Sequence, residues 1–124
     1  MSDAVELLVC TTCRCGQPKD AEAPRPGERL FEALNEAGLP NGVRLRPVEC
    51  LSNCSQGCTI GLRGPGRWTY VYGGLEPESH VGVILDGLAR YLNAPNGIVP
   101  WRERPEHFKR NCVVRIPPME AAHA

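Results

Sequence analysis

The chain has 124 residues, 42% of them hydrophobic and 23% charged, which is the size and composition of one globular domain and excludes a disordered chain. Lys+Arg and Asp+Glu balance at 14 each, so no net field recommends a nucleic-acid partner. No apolar run nears the roughly 18 residues of a membrane span.

Val5-Glu6-Leu7-Leu8-Val9 is a short apolar run with β-branched residues and predicts a buried first strand ending at Cys10. Thr11 to Gly27 carries Gly16, Pro18, Pro24, Pro26 and Gly27, breakers that stop either periodicity. Leu30, Phe31, Leu34 and Ala37 then fall on one face of a helix from Glu28 to Ala37, closed by Gly38 and Pro40. Val43 to Val48 alternates with period two and predicts a second strand, its Pro47 suiting a strand end or a sheet edge. Cys50 to Cys58 is a loop of Ser, Asn and Gly.

Thr59-Ile60-Gly61-Leu62 and Trp68-Thr69-Tyr70-Val71-Tyr72 flank Gly64-Pro65-Gly66, the pattern of a β-hairpin that Gly73-Gly74 ends. Trp68, Tyr70 and Tyr72 share one face of their strand, which suits core packing; the functional alternative is an aromatic cover or a dimer contact. Pro77 suits a first helical turn, and Val81, Ile84, Leu85, Leu88 and Leu92 repeat at helical spacing. Gly82 and Gly87 weaken that helix by about 1 kcal/mol each against Ala. Asn93 to Pro100 breaks it.

The order β-α-β, β-hairpin, α implies an α/β protein: a mixed four-stranded sheet with flanking helices, the core of the thioredoxin-like fold. The organisation expected is a thioredoxin-like domain over residues 1–100 and a partly basic C-terminal extension over 101–124. Between Trp101 and Arg115 that extension has five basic residues against two acidic ones, while residues 1–40 have seven acids against four bases. Solvated surface with a flexible end accounts for this; a basic docking patch for an acidic partner, or a self-complementary dimer contact, is the alternative.

The cysteines are the outlier. Seven is odd, so complete pairing within one chain is impossible, and the first residues lack the basic stretch of an export signal. A cytoplasmic setting is therefore expected, where structural disulfides are disfavoured and many thiols point to metal or redox chemistry. Cys10, Cys13 and Cys15 follow the first strand; Cys50, Cys54 and Cys58 follow the second. A β-α-β crossover makes those strands parallel neighbours, so both cysteine loops are expected at one edge of the sheet. Thiolates gathered there repel one another and need a cation between them. Two pairs from two loops satisfy a [2Fe–2S] cluster, and the same four sulfurs satisfy one Zn²⁺; spacing alone leaves both open. Core burial explains a lone cysteine well, and Cys112 beside Val113-Val114 is read that way. It explains poorly six thiols in polar, breaker-rich segments.

Cys50-Leu51-Ser52-Asn53-Cys54, followed by the hairpin with Gly66-Arg67-Trp68-Thr69-Tyr70, resembles the second half of the thioredoxin-like [2Fe–2S] ferredoxins and the related peripheral subunit of respiratory complex I. Val9-Cys10-Thr11-Thr12-Cys13-Arg14, the Cys50–Cys58 loop, Pro65 to Tyr70 and Pro100-Trp101-Arg102-Glu103-Arg104-Pro105 further resemble a bacterial family of predicted metal-binding proteins associated with cobalt and cobalamin metabolism. The resemblance implies an electron carrier rather than an enzyme, with Cys10, Cys13, Cys50 and Cys54 as ligands of a [2Fe–2S] cluster, a redox partner protein and a homodimer. Cys15 competes with Cys13, because Cys10 with Cys15 gives the Cys-x4-Cys spacing of the complex I subunit. Cys58 is a spare thiol that flanks the cluster or substitutes as a ligand. The backbone N–H groups of Ser52, Asn53, Ser55 and Gly57 are expected donors to the sulfurs, and Arg14 an expected offset to the cluster's charge or a partner contact.

The alternative chemistry is a zinc- or cobalt-binding or metal-delivery protein using the same cysteines. Histidine adds little to it, since His80, His107 and His123 stand at no ligand spacing from the cysteines and are read as surface residues. A thiol–disulfide oxidoreductase built on Cys10-Thr11-Thr12-Cys13 is disfavoured, because the next helix begins only after the breaker-rich loop and no proline precedes the Thr59 strand. No hydrolytic constellation can be located from spacing.

Overall fold

A computed structural model describes residues 5–11, 26–49, 58–77, 79–94 and 96–118. The chain runs β1 (Val5–Cys10), α1 (Pro26–Ala37), β2 (Val43–Val48), β3 (Cys58–Arg63), β4 (Thr69–Leu75), α2 (Val81–Asn93), a 3₁₀ turn (Trp101–Glu103), α3 (Glu106–Arg110) and β5 (Cys112–Ile116). The strands form one sheet in the order β2-β1-β3-β4-β5. β1 and β2 are parallel, and every other neighbouring pair is antiparallel. The expected α/β architecture is present, with a fifth strand added to the expected four.

The core lies on one face of the sheet. Register sets Leu7 opposite Leu62 and Val9 opposite Ile60, and these in turn opposite Tyr70 and Tyr72. All six are buried, and they join Leu30 and Leu34 of α1, Ile84, Leu88 and Tyr91 of α2 and Phe108 of α3 in one cluster. Tyr70 and Tyr72 are thus core residues, their rings parallel at 5.8 Å, and Tyr72 stacks on Phe108 at 3.9 Å. On the opposite face the Glu6 carboxylate accepts from Arg46 at 2.9 Å and Arg63 at 2.7 Å, which holds it below the usual carboxylate range.

Several boundaries differ from the periodic reading. α1 begins at Pro26. β4 runs on through Gly73-Gly74 to Leu75, with Gly74 at φ +67, a backbone state that glycine adopts without steric cost. α2 begins at Val81, and Pro77 stands in the turn before it. Gly87 is more than a weak point in α2. A Cβ there would fall on the Phe108 ring, whereas a Cβ at Gly82 meets open space. The missing side chain at 87 is what lets α3 seat Phe108 on α2.

Arg67 has a role that the motif reading did not assign. Its guanidinium donates to the carbonyls of Tyr91 at 2.7 Å, Ala94 at 2.9 Å and Leu92 at 3.4 Å. These acceptors cluster at the C-terminal end of α2, where carbonyls lack helical partners and the dipole favours a cation. The Tyr91 hydroxyl returns the link by donating to Trp68 O at 2.5 Å.

Trp101 to Ile116 carries the 3₁₀ turn, α3 and β5, where solvated surface with a flexible end is expected from Trp101 onwards. β5 pairs with β4, although all five of its side chains are exposed. Cys112 is accordingly an exposed edge-strand residue and no core thiol. Its thiol donates to Val114 O at 3.7 Å, and partial burial pushes it up from its ordinary range.

His80 and His107 are half-buried and in ring contact at 4.3 Å, so neither is a plain surface residue. His80 Nδ1 accepts from Glu76 N–H at 2.9 Å, and His107 Nε2 meets the Gly73 carbonyl at 3.0 Å, which requires a proton on that nitrogen. Burial first, then His107, lowers the His80 pKa below its ordinary 6.5, against the opposing pull of Glu76. A His with a lowered folded-state pKa binds fewer protons folded than unfolded. Stability is therefore expected to fall as pH drops below the unfolded value of 6.5. Urea midpoints between about pH 7.5 and pH 5 should fall less for His80→Gln than for the native chain; identical slopes would remove the contribution.

Candidate functional site

The site is set by how β1 and β2 end. The two strands are parallel and in register up to Cys10 opposite Val48. The ladder continues one residue further, where Thr11 N–H donates to Val48 O at 2.9 Å and the Thr11 hydroxyl donates to the same oxygen at 3.2 Å. Neighbouring strands lie about 4.8 Å apart, so β1 and β2 end side by side, at Thr11 and Glu49. β3 runs antiparallel to β1, with Val9 opposite Ile60. It therefore begins, at Cys58, on the edge where β1 ends. β2 ends on one flank of β1 and β3 begins on the other.

Cys10 is buried at 2% exposure. Its thiol donates to the carbonyl of Glu49 at 3.7 Å, and one peptide bond separates that carbonyl from Cys50. Cys58 is fully buried at the start of β3. The ends of the two strands that lead into the cysteine segments are adjacent. Cys13, Arg14, Cys15, Cys50, Ser52, Asn53, Cys54, Ser55 and Gly57 lie outside the described residues.

The start of α1 closes the site from behind. Pro26 and Gly27 are buried, and a Cβ built on Gly27 would clash with the Cys10 carbonyl oxygen. Helix and strand end are in backbone contact, an approach that only glycine permits. Periodicity could not find this role, because Gly27 sits among breakers that read as loop.

The donor chemistry suits a soft metal centre. Thiolates select zinc, copper(I) and iron–sulfur clusters over hard cations, and Cys10 offers a sulfur shielded from water. Among the described residues no group of three or more His, Cys, Asp or Glu side chains could hold an ion, and His80 and His107 lie beside β4 and α3. No helix among the described residues is long and apolar enough to cross a membrane.

Residues 7–118 match the family described as "Protein of unknown function (DUF1636)". No curated protein matches the chain. Two solved structures are similar, both of a thioredoxin-like [2Fe–2S] ferredoxin from Aquifex aeolicus. One is 22% identical with a TM-score of 0.57, over 94% of this chain and 97% of that one. The other, the wild-type protein, is 16% identical with a TM-score of 0.53, over 90% and 98%. At these identities the likeness shows the fold, and the mixed sheet with its flanking helices is the thioredoxin-like arrangement.

Proposed function

This chain belongs to the DUF1636 family, and on that premise we propose that it is a cytoplasmic iron–sulfur electron carrier, a homodimer that holds a [2Fe–2S] cluster through Cys10, Cys13, Cys50 and Cys54 and serves a redox partner protein. One observation carries the reading: the parallel ends of β1 and β2 are in step, with the buried Cys10 thiol on the carbonyl that precedes Cys50. The fold shared with two solved structures of a ferredoxin of that cluster type supports it.

When bound, such a cluster supplies a one-electron couple whose potential follows hydrogen bonding and solvent exposure at the sulfurs. The chain's own part is to fix and shield. Cys10 holds its sulfur away from water. The Thr11 amide is engaged by Val48, which leaves hydrogen bonds to the sulfurs to residues beyond it. Electron transfer asks for proximity and no substrate pocket, so no catalytic residue is assigned.

Anaerobic purification tests the proposal. Broad visible absorption that bleaches on reduction is expected, with iron and acid-labile sulfide in equal amounts. A colourless protein with one zinc per chain would overturn the electron carrier in favour of zinc binding by the same thiols.

A further inference from the structure

The two edges of the sheet are built differently. β2, at one edge, is blunted by Pro47, which lacks an N–H, and by the exposed Arg44 and Arg46. These are the usual devices that keep sheet edges from pairing. β5, at the other edge, has neither proline nor lysine over Cys112–Ile116. Three of the four large hydrophobic residues exposed on the described surface belong to it: Val113 at 50%, Val114 at 43% and Ile116 at 49%. Its single charge, Arg115, lies over the Trp68 ring at 4.8 Å. Among the described residues no strand pairs with its outer side.

We infer that β5 is the contact of the homodimer, pairing antiparallel with β5 of a second copy about a two-fold axis. The inference rests on the homodimer named above and adds the surface that makes it. With the axis at Val114, that residue faces its own copy, Cys112 faces Ile116 and Val113 faces Arg115. Val114 meets Val114 and Cys112 meets Ile116, apolar on apolar, while each Arg115 meets a Val113, so no charge meets its like. The chain's zero net charge sets no repulsion between copies. Pro117 and Pro118 follow directly and end the ladder at Ile116. An isologous pairing also closes upon itself and, with β2 blunted, leaves no open edge to propagate. Five paired residues bury little area, so dissociation constants on the order of micromolar follow.

Sedimentation velocity of the full chain as purified, over roughly 1–200 µM, reads the assembly. The native chain should shift from monomer to dimer across that range. Val114→Lys sets two ammonium groups against each other at the axis and should weaken the dimer by about tenfold or more. Because Val114 is exposed, its circular dichroism and visible spectrum should stay native. Val114→Cys in a Cys112→Ser background should form an interchain disulfide under mild oxidation. A dimer that ignores Val114→Lys and resists that cross-link overturns the β5 contact while the homodimer stands. A native chain that remains monomeric throughout overturns both.

Discussion

Cys10→Ser is expected to abolish the visible absorption of the purified protein and its bound iron, while Cys112→Ser leaves both unchanged. Position 10 is the best-defined donor of the proposed centre, locked by the β1–β2 register and buried at 2% exposure. A serine hydroxyl is a hard, weakly acidic ligand and a poor substitute for a thiolate at a soft metal centre. Burial also denies the vacancy to an outside thiol. Cys112 lies three strands away on the far edge of the sheet, so its removal serves as the control for thiol content. Iron analysis and the absorption spectrum read the outcome, and circular dichroism checks that the sheet survives. Equal loss in both variants would mean that the colour does not report a centre at β1.

Gly27→Ala is expected to destabilise the fold by about 1–3 kcal/mol, the usual cost of forcing atoms into a packed interior, and to reduce cluster loading with it. The added methyl collides with the backbone of β1 at Cys10 rather than with the tip of a pliable side chain. Relief requires α1 to back away or the strand end to shift, and either moves the Cys10 sulfur. Gly82→Ala is the matched comparison. Its Cβ enters open space on an exposed helix face, where replacing glycine raises helix propensity by up to about 1 kcal/mol. Chemical denaturation should shift the two midpoints in opposite directions. A neutral Gly27→Ala would show that the backbone contact is dispensable.

What was legible in the sequence follows from which side chains are buried. Val5 to Val9 announces itself as an apolar run, Val43 to Val48 by its alternation and Val81 to Leu92 by its helical repeat, because each packs those side chains on the core. Their order alone then yields the parallel pair and the converging ends at Cys10 and Val48. β5 is the converse. Every side chain in it is exposed, so its place comes from backbone pairing with β4 and from the neighbouring Phe108, neither of which leaves a periodic trace. The β-branched run after Asn111 was the available signal. Gly27 and Gly87 were read as local breakers, yet both are defined by a partner distant in sequence: the Cys10 carbonyl and the Phe108 ring. The pairing of His80 with His107 was hidden for the same reason, since 27 residues of chain separate two rings that the fold sets in contact.

Arg67 belongs to the hairpin connection but closes the last turn of α2. The helix end and the turn therefore cannot fray independently: releasing either surrenders the same guanidinium. Local opening there becomes a shared event, in which the amides of both segments would exchange with solvent at one common rate.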